Sequence, residues 1–265
     1  MYSPVQLAGR YLQYYLSASN GKGHGVHSPF VYSFITRVLN DERQFYAYNA
    51  IEKIRQELLQ NPEEVLIEDF GAGSRTKKSN LRSIKAIAAS SLKPKKFGQL
   101  LFRIADYYAP EKILELGTSL GITTAYLASA REKSSVVTME GASSIATIAR
   151  NNFEKLGLKN IEMVAGNFDR TLTSTVRKMG YIDLAFVDGN HRYDPTLRYF
   201  RELLPAMQEH SILIFDDIHW SREMEQAWDE IKADPAVTLC VDLFFIGLVF
   251  FRKEQKVKQD FVIRF

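Results

Sequence analysis

The chain has 265 residues, 46% of them apolar, a formal net charge of +3 and a single cysteine. That length can bury a substantial core, and the composition excludes a disulfide framework, a multi-cysteine zinc site and, for want of roughly 18 consecutive apolar residues, stable membrane insertion. No charged leader precedes an apolar run, so the expected compartment is the cytoplasm; within residues 75–105, nine Lys/Arg stand without an acid, a segment able to contact RNA, anionic lipid or an acidic substrate.

Val5, Ala8, Leu12, Tyr15 and Leu16 predict a first helix over 5–18, ended by the glycine-rich stretch 20–25. Ser28 and Pro29 read as the N-cap and first residue of a second helix, with Phe30, Val31, Phe34, Ile35, Val38 and Leu39 on one side. Ten Tyr/Phe fall in the first 48 residues, so these helices are expected to form core, a pocket lining or a homodimer surface. A third helix follows at 50–59. Residues 65–74, VLIEDFGAGS, look like a strand feeding a glycine loop, yet after the helix that follows at 81–90 no strand is expected before Ile113, so the βαβ context is missing and Gly71 and Gly73 read as a turn or cover. Asn80 is expected to cap a helix over 81–90, and another spans 97–108, closed by Pro110.

From Lys112 the pattern alternates. Strands are predicted at 112–116, 135–139, 160–164, 182–187, 211–215, 237–243 and 245–252, with helices at 123–130, 143–156, 172–179, 195–209 and 221–232 between the first six. This is an α/β pattern with a mostly parallel sheet covered on both faces. The last two strands are too close for a crossover and must form an antiparallel hairpin, while 259–265 reads as a short extra edge strand. The expected organisation is a mainly helical N-terminal extension, 1–96, and an α/β domain, 97–265.

Ligands collect at the carboxyl ends of strands in such sheets. After 112–116 comes a loop from Gly117 to Gly121, enclosing Thr118, Ser119 and Leu120, that feeds a helix N-terminus. Without a central glycine it suits a nucleotide-like ligand less anionic than a pyrophosphate. Glu140 ends the next strand, where a carboxylate can accept both hydroxyls of a ribose. Asn167 and Phe168 follow the third strand, where an amide and a ring can meet a purine. Asp188, Asp216 and Asp217 end the fourth and fifth strands and form a candidate set of hard oxygen ligands for Mg²⁺ or another divalent cation. His191 is the candidate general base, His219 a weaker one, and His210 reads as structural at a helix end.

Taken together, ELGTSLG, TMEG, AGNFD, VDGNH and FDD, closed by a hairpin, resemble the class I S-adenosylmethionine-dependent methyltransferases. The likeness is to the metal-dependent O-methyltransferases of the catechol and caffeoyl-coenzyme A type and those acting on sugar hydroxyls; it covers about 97–253. Residues 1–96 are similar to N-terminal extensions of bacterial methyltransferases, chiefly of the Bacteroidetes. The resemblance implies a Rossmann-like seven-stranded sheet with S-adenosylmethionine as cofactor. Glu115, Gly117, Thr118, Ser119 and Gly121 would cradle its methionine part, Glu140 its ribose, and Met139, Asn167 and Phe168 its base, with Asp188 beside them. It also implies a metal triad of Asp188, Asp216 and Asp217. Histidine at 191, where the catechol type has lysine, leans towards an aliphatic or sugar hydroxyl. The implied function is O-methylation of a small molecule, with Asp188 and His191 in catalytic roles. The alternatives are an RNA methyltransferase using the basic 75–105 segment and a non-catalytic scaffold of the same fold.

Overall fold

A computed structural model describes residues 1–67 and 80–265. Gly71, Gly73 and the first part of the basic segment lie outside the described residues. In chain order the elements are α1 (Pro4–Ser17), α2 (Pro29–Phe34), α3 (Tyr46–Gln60), β1 (Glu64–Ile67), β2 (Asn80–Ser83), α4 (Ile84–Ser91), α5 (Lys95–Tyr108), β3 (Lys112–Leu116), α6 (Ile122–Ala130), β4 (Ser135–Glu140) and α7 (Ser143–Lys155). They continue with β5 (Ile161–Ala165), α8 (Phe168–Met179), β6 (Ile182–Val187), α9 (Tyr193–Leu203), β7 (Met207–Asp216), α10 (Arg222–Ala233), β8 (Leu239–Asp242), β9 (Ile246–Phe250) and β10 (Gln259–Val262). Among the described residues no helix is long and apolar enough to cross a membrane.

The chain divides into two compact units, one of Glu42–Thr175 and one of Met1–Asp41 with Val176–Phe265. In the first, β3, β4 and β5 pair in parallel, in that order. β3 is buried from Ile113 to Leu116, as a parallel strand covered on both faces requires, with Glu115 as a buried acid among its apolar residues. α3, α4 and α6 share a core built on Tyr48, Ile51, Ile54, Ile84, Phe102 and Tyr126. In the second unit the strand order is β10-β8-β9-β7-β6. β6 and β7 are parallel, β8 and β9 form the expected antiparallel hairpin, and β10 adds an edge strand parallel to β8. The seven expected strands are therefore all present, and the C-terminal segment supplies an eighth.

Three expectations need correction. The helix expected from 81 begins at Ile84, because residues 80–83 form β2, antiparallel to β1 from Glu64↔Ser83 to Ile67↔Asn80, and Ser83, not Asn80, caps the helix by accepting the Ala86 N–H; after it only α5 stands before β3, as expected. The helix expected over 195–209 ends at Leu203, because Leu204–Ala206 tightens into a 3₁₀ turn around Pro205 and the chain enters β7 at Met207. His210 consequently lies in a strand, not at a helix end. The aromatic side of the second helix is core: Val31 and Phe34 are fully buried, and Phe30 meets Phe250 edge to face at 5.0 Å.

Candidate active site

The cradle is built by β3, its loop and α6. Gly117, Ser119 and Gly121 take φ values of +103°, +48° and +83°, so the loop turns tightly enough for the Gly117 and Thr118 N–H groups both to donate to the Met139 carbonyl at 3.0 Å. Gly121 is glycine for two reasons, since a Cβ there would also lie 2.6 Å from the Phe153 ring. Beneath the loop, Glu115 is fully buried. Its Oε2 accepts hydroxyl hydrogen bonds from Thr124 and, at 2.6 Å, from Thr138, whose own Oγ1 lies 2.6 Å from that of Thr118. Glu115 thus ties strand, loop and helix together from inside. Met139 is fully buried as well and meets the loop through its carbonyl.

Glu140 stands at the end of β4 with both oxygens oriented by backbone donors: Ser119 N–H at 2.8 Å and Ala142 N–H at 2.9 Å. Two such bonds fix the direction of the carboxylate. Asn167 opens α8, its side-chain oxygen accepting the Asp169 N–H at 2.8 Å, and both Asn167 and Phe168 remain partly exposed. Sequence reasoning misses Thr124 and Thr138; the available signal is a buried acid inside a β-strand, which demands nearby donors.

In the other unit, β6 and β7 bring Asp188 and Asp216 together with His191. One ligand atom from each lies within 4.8 Å of the others, an arrangement able to hold a cation. His191 Nε2 is 3.3 Å from Asp188 Oδ1, and Asp216 is almost fully buried. Asp217, expected in the triad, is not in this group. Its backbone turns to φ +54° and its N–H donates to the Phe245 carbonyl at 2.6 Å. The positive φ of Asn190 (+66°) and His191 (+34°) marks a strained turn of the kind concentrated at functional sites.

Burial by itself pushes the His191 pKa down, but the hydrogen bond and charge of Asp188, with the charges of Asp216 and Asp217, outweigh it and raise it to about 9. An imidazolium is thus one way to hold two carboxylates close, and a divalent cation is another. Two carboxylates and an imidazole fit a divalent cation, and Asn190 Oδ1, between Asp188 and His191 in sequence, is a buried acceptor with no hydrogen-bond partner among the described residues. His219 cannot be the base: its Nδ1 faces Glu225 Oε1 at 3.1 Å and its Nε2 faces Asp242 Oδ2 at 2.7 Å, with Phe244 stacked on the ring.

Residues 114–218 match the family described as "Methyltransferase domain". A catechol O-methyltransferase of Niastella koreensis is 27% identical over 143 residues, which is 53% of this chain and 62% of the relative, so the chain spans less than two thirds of that relative's length. Among solved structures, the SAH-bound Podospora anserina methyltransferase PaMTH1 superposes with a TM-score of 0.58 at 16% identity, covering 85% of this chain and 97% of that one. An O-methyltransferase from Bacillus cereus in complex with SAH gives 0.54 at 18% identity, covering 80% and 93%. Residues 114–218 thus resemble a methyltransferase domain, and the chain has the fold of the class I methyltransferases.

Proposed function

We propose that the protein is an S-adenosylmethionine-dependent methyltransferase acting on a hydroxyl of a small molecule with the help of a divalent cation. The observation that carries the oxygen specificity is the Asp188–His191–Asp216 cluster, two carboxylates and an imidazole at the strand ends, within the residues that match a methyltransferase domain. When bound, S-adenosylmethionine supplies the sulfonium methyl group, and the cation lowers the pKa of the acceptor hydroxyl and orients it.

The chain's own residues do the rest. Gly117, Thr118, Ser119 and Gly121 form the wall for the methionine part, with Glu115 holding that wall from below, and Glu140 accepts the ribose hydroxyls. Met139, Asn167 and Phe168 would border the base. Asp188 and Asp216 hold the cation, with His191 as third ligand or as the group that accepts the hydroxyl proton at a ring nitrogen. Asp217, outside the cluster, takes no ligand role in this proposal. Near neutral pH the ion-free cluster keeps His191 protonated, so its work as a base depends on positive charge arriving at Asp188 and Asp216. Histidine here favours an aliphatic or sugar hydroxyl over a catechol.

RNA as substrate is less well supported, because Arg103 of the basic segment is buried. Titration calorimetry with S-adenosylhomocysteine, with and without Mg²⁺, tests the proposal. Binding lost in Glu140→Ala and a magnesium heat lost in Asp188→Ala are the expected results. Cofactor binding indifferent to magnesium would remove the metal, and no binding at all would leave the scaffold. The expected homodimer is independent of this chemistry and rests on the N-terminal helix.

A further inference from the structure

α1 is an amphipathic helix with two apolar sides, and its own unit uses one. On that side Tyr2 donates to Glu225 Oε2 at 2.7 Å and Arg10 pairs with Glu225 Oε1 at 2.5 Å. Tyr11 and Tyr14 pack on Phe244 at 5.1 and 5.2 Å, and the Tyr14 hydroxyl donates to the Ile263 carbonyl. The capping box between Ser3 and Gln6 fixes the helix start. These contacts hold α1 in one place and orientation.

The opposite side faces solvent. Val5 is 81% exposed, Leu12 58% and Leu16 70%, with Ala8 and Gly9 also exposed between them. The spacing 5, 8/9, 12, 16 is the three-four repeat of a helix–helix seam. A Cβ at Gly9 would meet nothing within 4 Å, and a shallow groove of about 460 Å³ runs along Gly9, Leu12, Gln13, Leu16 and Ser17. The groove is thus narrowest in side chains where a partner helix could lie closest.

We infer that this stripe is a self-association surface, on which α1 packs against α1 of a second copy about a two-fold axis. Charge selects that occupant. Arg10 is the one Lys, Arg, Asp or Glu within α1, and it is tied to Glu225 on the inward side. An uncharged stripe repels nothing on an identical stripe, as an isologous contact requires. A membrane surface would call for lysines or arginines flanking the apolar residues, and α1 offers none on that side. The rigid anchoring also means that ordering costs little on association.

Area sets the strength. The stripe exposes on the order of 500 Å² per copy, at the upper end of what a monomer tolerates. Two stripes together bury roughly 1,000 Å², below the ~1,600 Å² of a standard interface, so the dimer should be weak, with dissociation in the micromolar range.

Sedimentation equilibrium of the full chain from low to high micromolar concentration tests this. The expected result is a mass that doubles with concentration in the wild type and stays monomeric in the Leu12→Glu/Leu16→Glu double variant, at unchanged melting temperature because both positions are exposed. A second measurement is independent of any loss. The single cysteine, Cys240, is buried, so Leu12→Cys introduces one accessible thiol that a short bis-maleimide should link into a covalent dimer. A thiol at exposed Tyr46 on α3 (Tyr46→Cys) should not link. A wild type that stays monomeric throughout, a dimer indifferent to Leu12→Glu/Leu16→Glu, or equal linking through both thiols would each overturn the inference. Vesicle co-sedimentation abolished by the same double variant, with no dimer in solution, would assign the stripe to lipid instead.

Discussion

Replacing Gly121 with alanine tests the loop where its backbone and its packing meet. The residue sits at φ +83°, where a Cβ costs about 1–2 kcal/mol. That Cβ would also stand 2.6 Å from one Phe153 ring atom, 2.9 Å from another and 3.1 Å from the Ala149 Cβ, an overpacking penalty of about 1–3 kcal/mol. Gly157 supplies the control, because it has φ +68° but nothing within 4 Å of an added methyl, so Gly157→Ala carries the backbone cost alone. Both variants gain the same small benefit from a stiffer unfolded chain, about 0.4–1 kcal/mol, which cancels in the comparison. In urea denaturation Gly121→Ala should therefore be less stable than Gly157→Ala by about 1–3 kcal/mol. Phe153 and Ala149 lie on α7, so the variant should also push the helix away from the loop and weaken S-adenosylhomocysteine binding, as Gly157→Ala should not. Equal destabilisation by the two variants would refute the claim that α7 packs hard against the loop.

Thr138→Val removes a hydroxyl from the buried Glu115, and the loss of a hydrogen bond to such a group should cost about 1–3 kcal/mol by urea denaturation. A change within error would mean that the threonine network is dispensable. For His219, burial favours the neutral ring, but its bonds to Asp242 and Glu225 outweigh that and raise its pKa above the unfolded value. The resulting stabilisation is complete below about pH 6.5 and is lost as pH rises through the folded value. Asp242→Asn should flatten that decline, and a stability–pH curve parallel to the wild type's would contradict the pairing. Because His191 holds its proton up to about 9, Mg²⁺ affinity measured by calorimetry should strengthen as pH rises towards that value, with protons released on binding. An affinity flat across the same range would exclude His191 as a ligand.

How much of this can be read from residues alone depends on how local the cause is. The β3–loop–α6 segment is legible almost to the residue, because a buried apolar strand, two positive-φ glycines and a helix start are all encoded within about ten positions. The helix expected over 195–209 stops short because periodicity tolerates Pro205, whereas the backbone closes the helix at Leu203 before it. The acidic cluster shows the subtler limit. Asp216 and Asp217 read as a pair because both are acids at a strand end, but β7 ends at Asp216 and Asp217 already has a left-handed backbone, so strand periodicity does not fix where it points. Asp216 joins Asp188 and His191 in one group, whereas Asp217 stands outside it yet near enough for its charge to act on His191. His191, three residues past Asp188 on a turn that no periodicity describes, completes the group. The histidine changes the chemistry: a carboxylate triad would attract a cation at any neutral pH, whereas two carboxylates and a histidine must exchange a proton for it. A site of this kind couples metal occupancy to protonation through one imidazole, the same ring proposed to receive the proton of the acceptor hydroxyl.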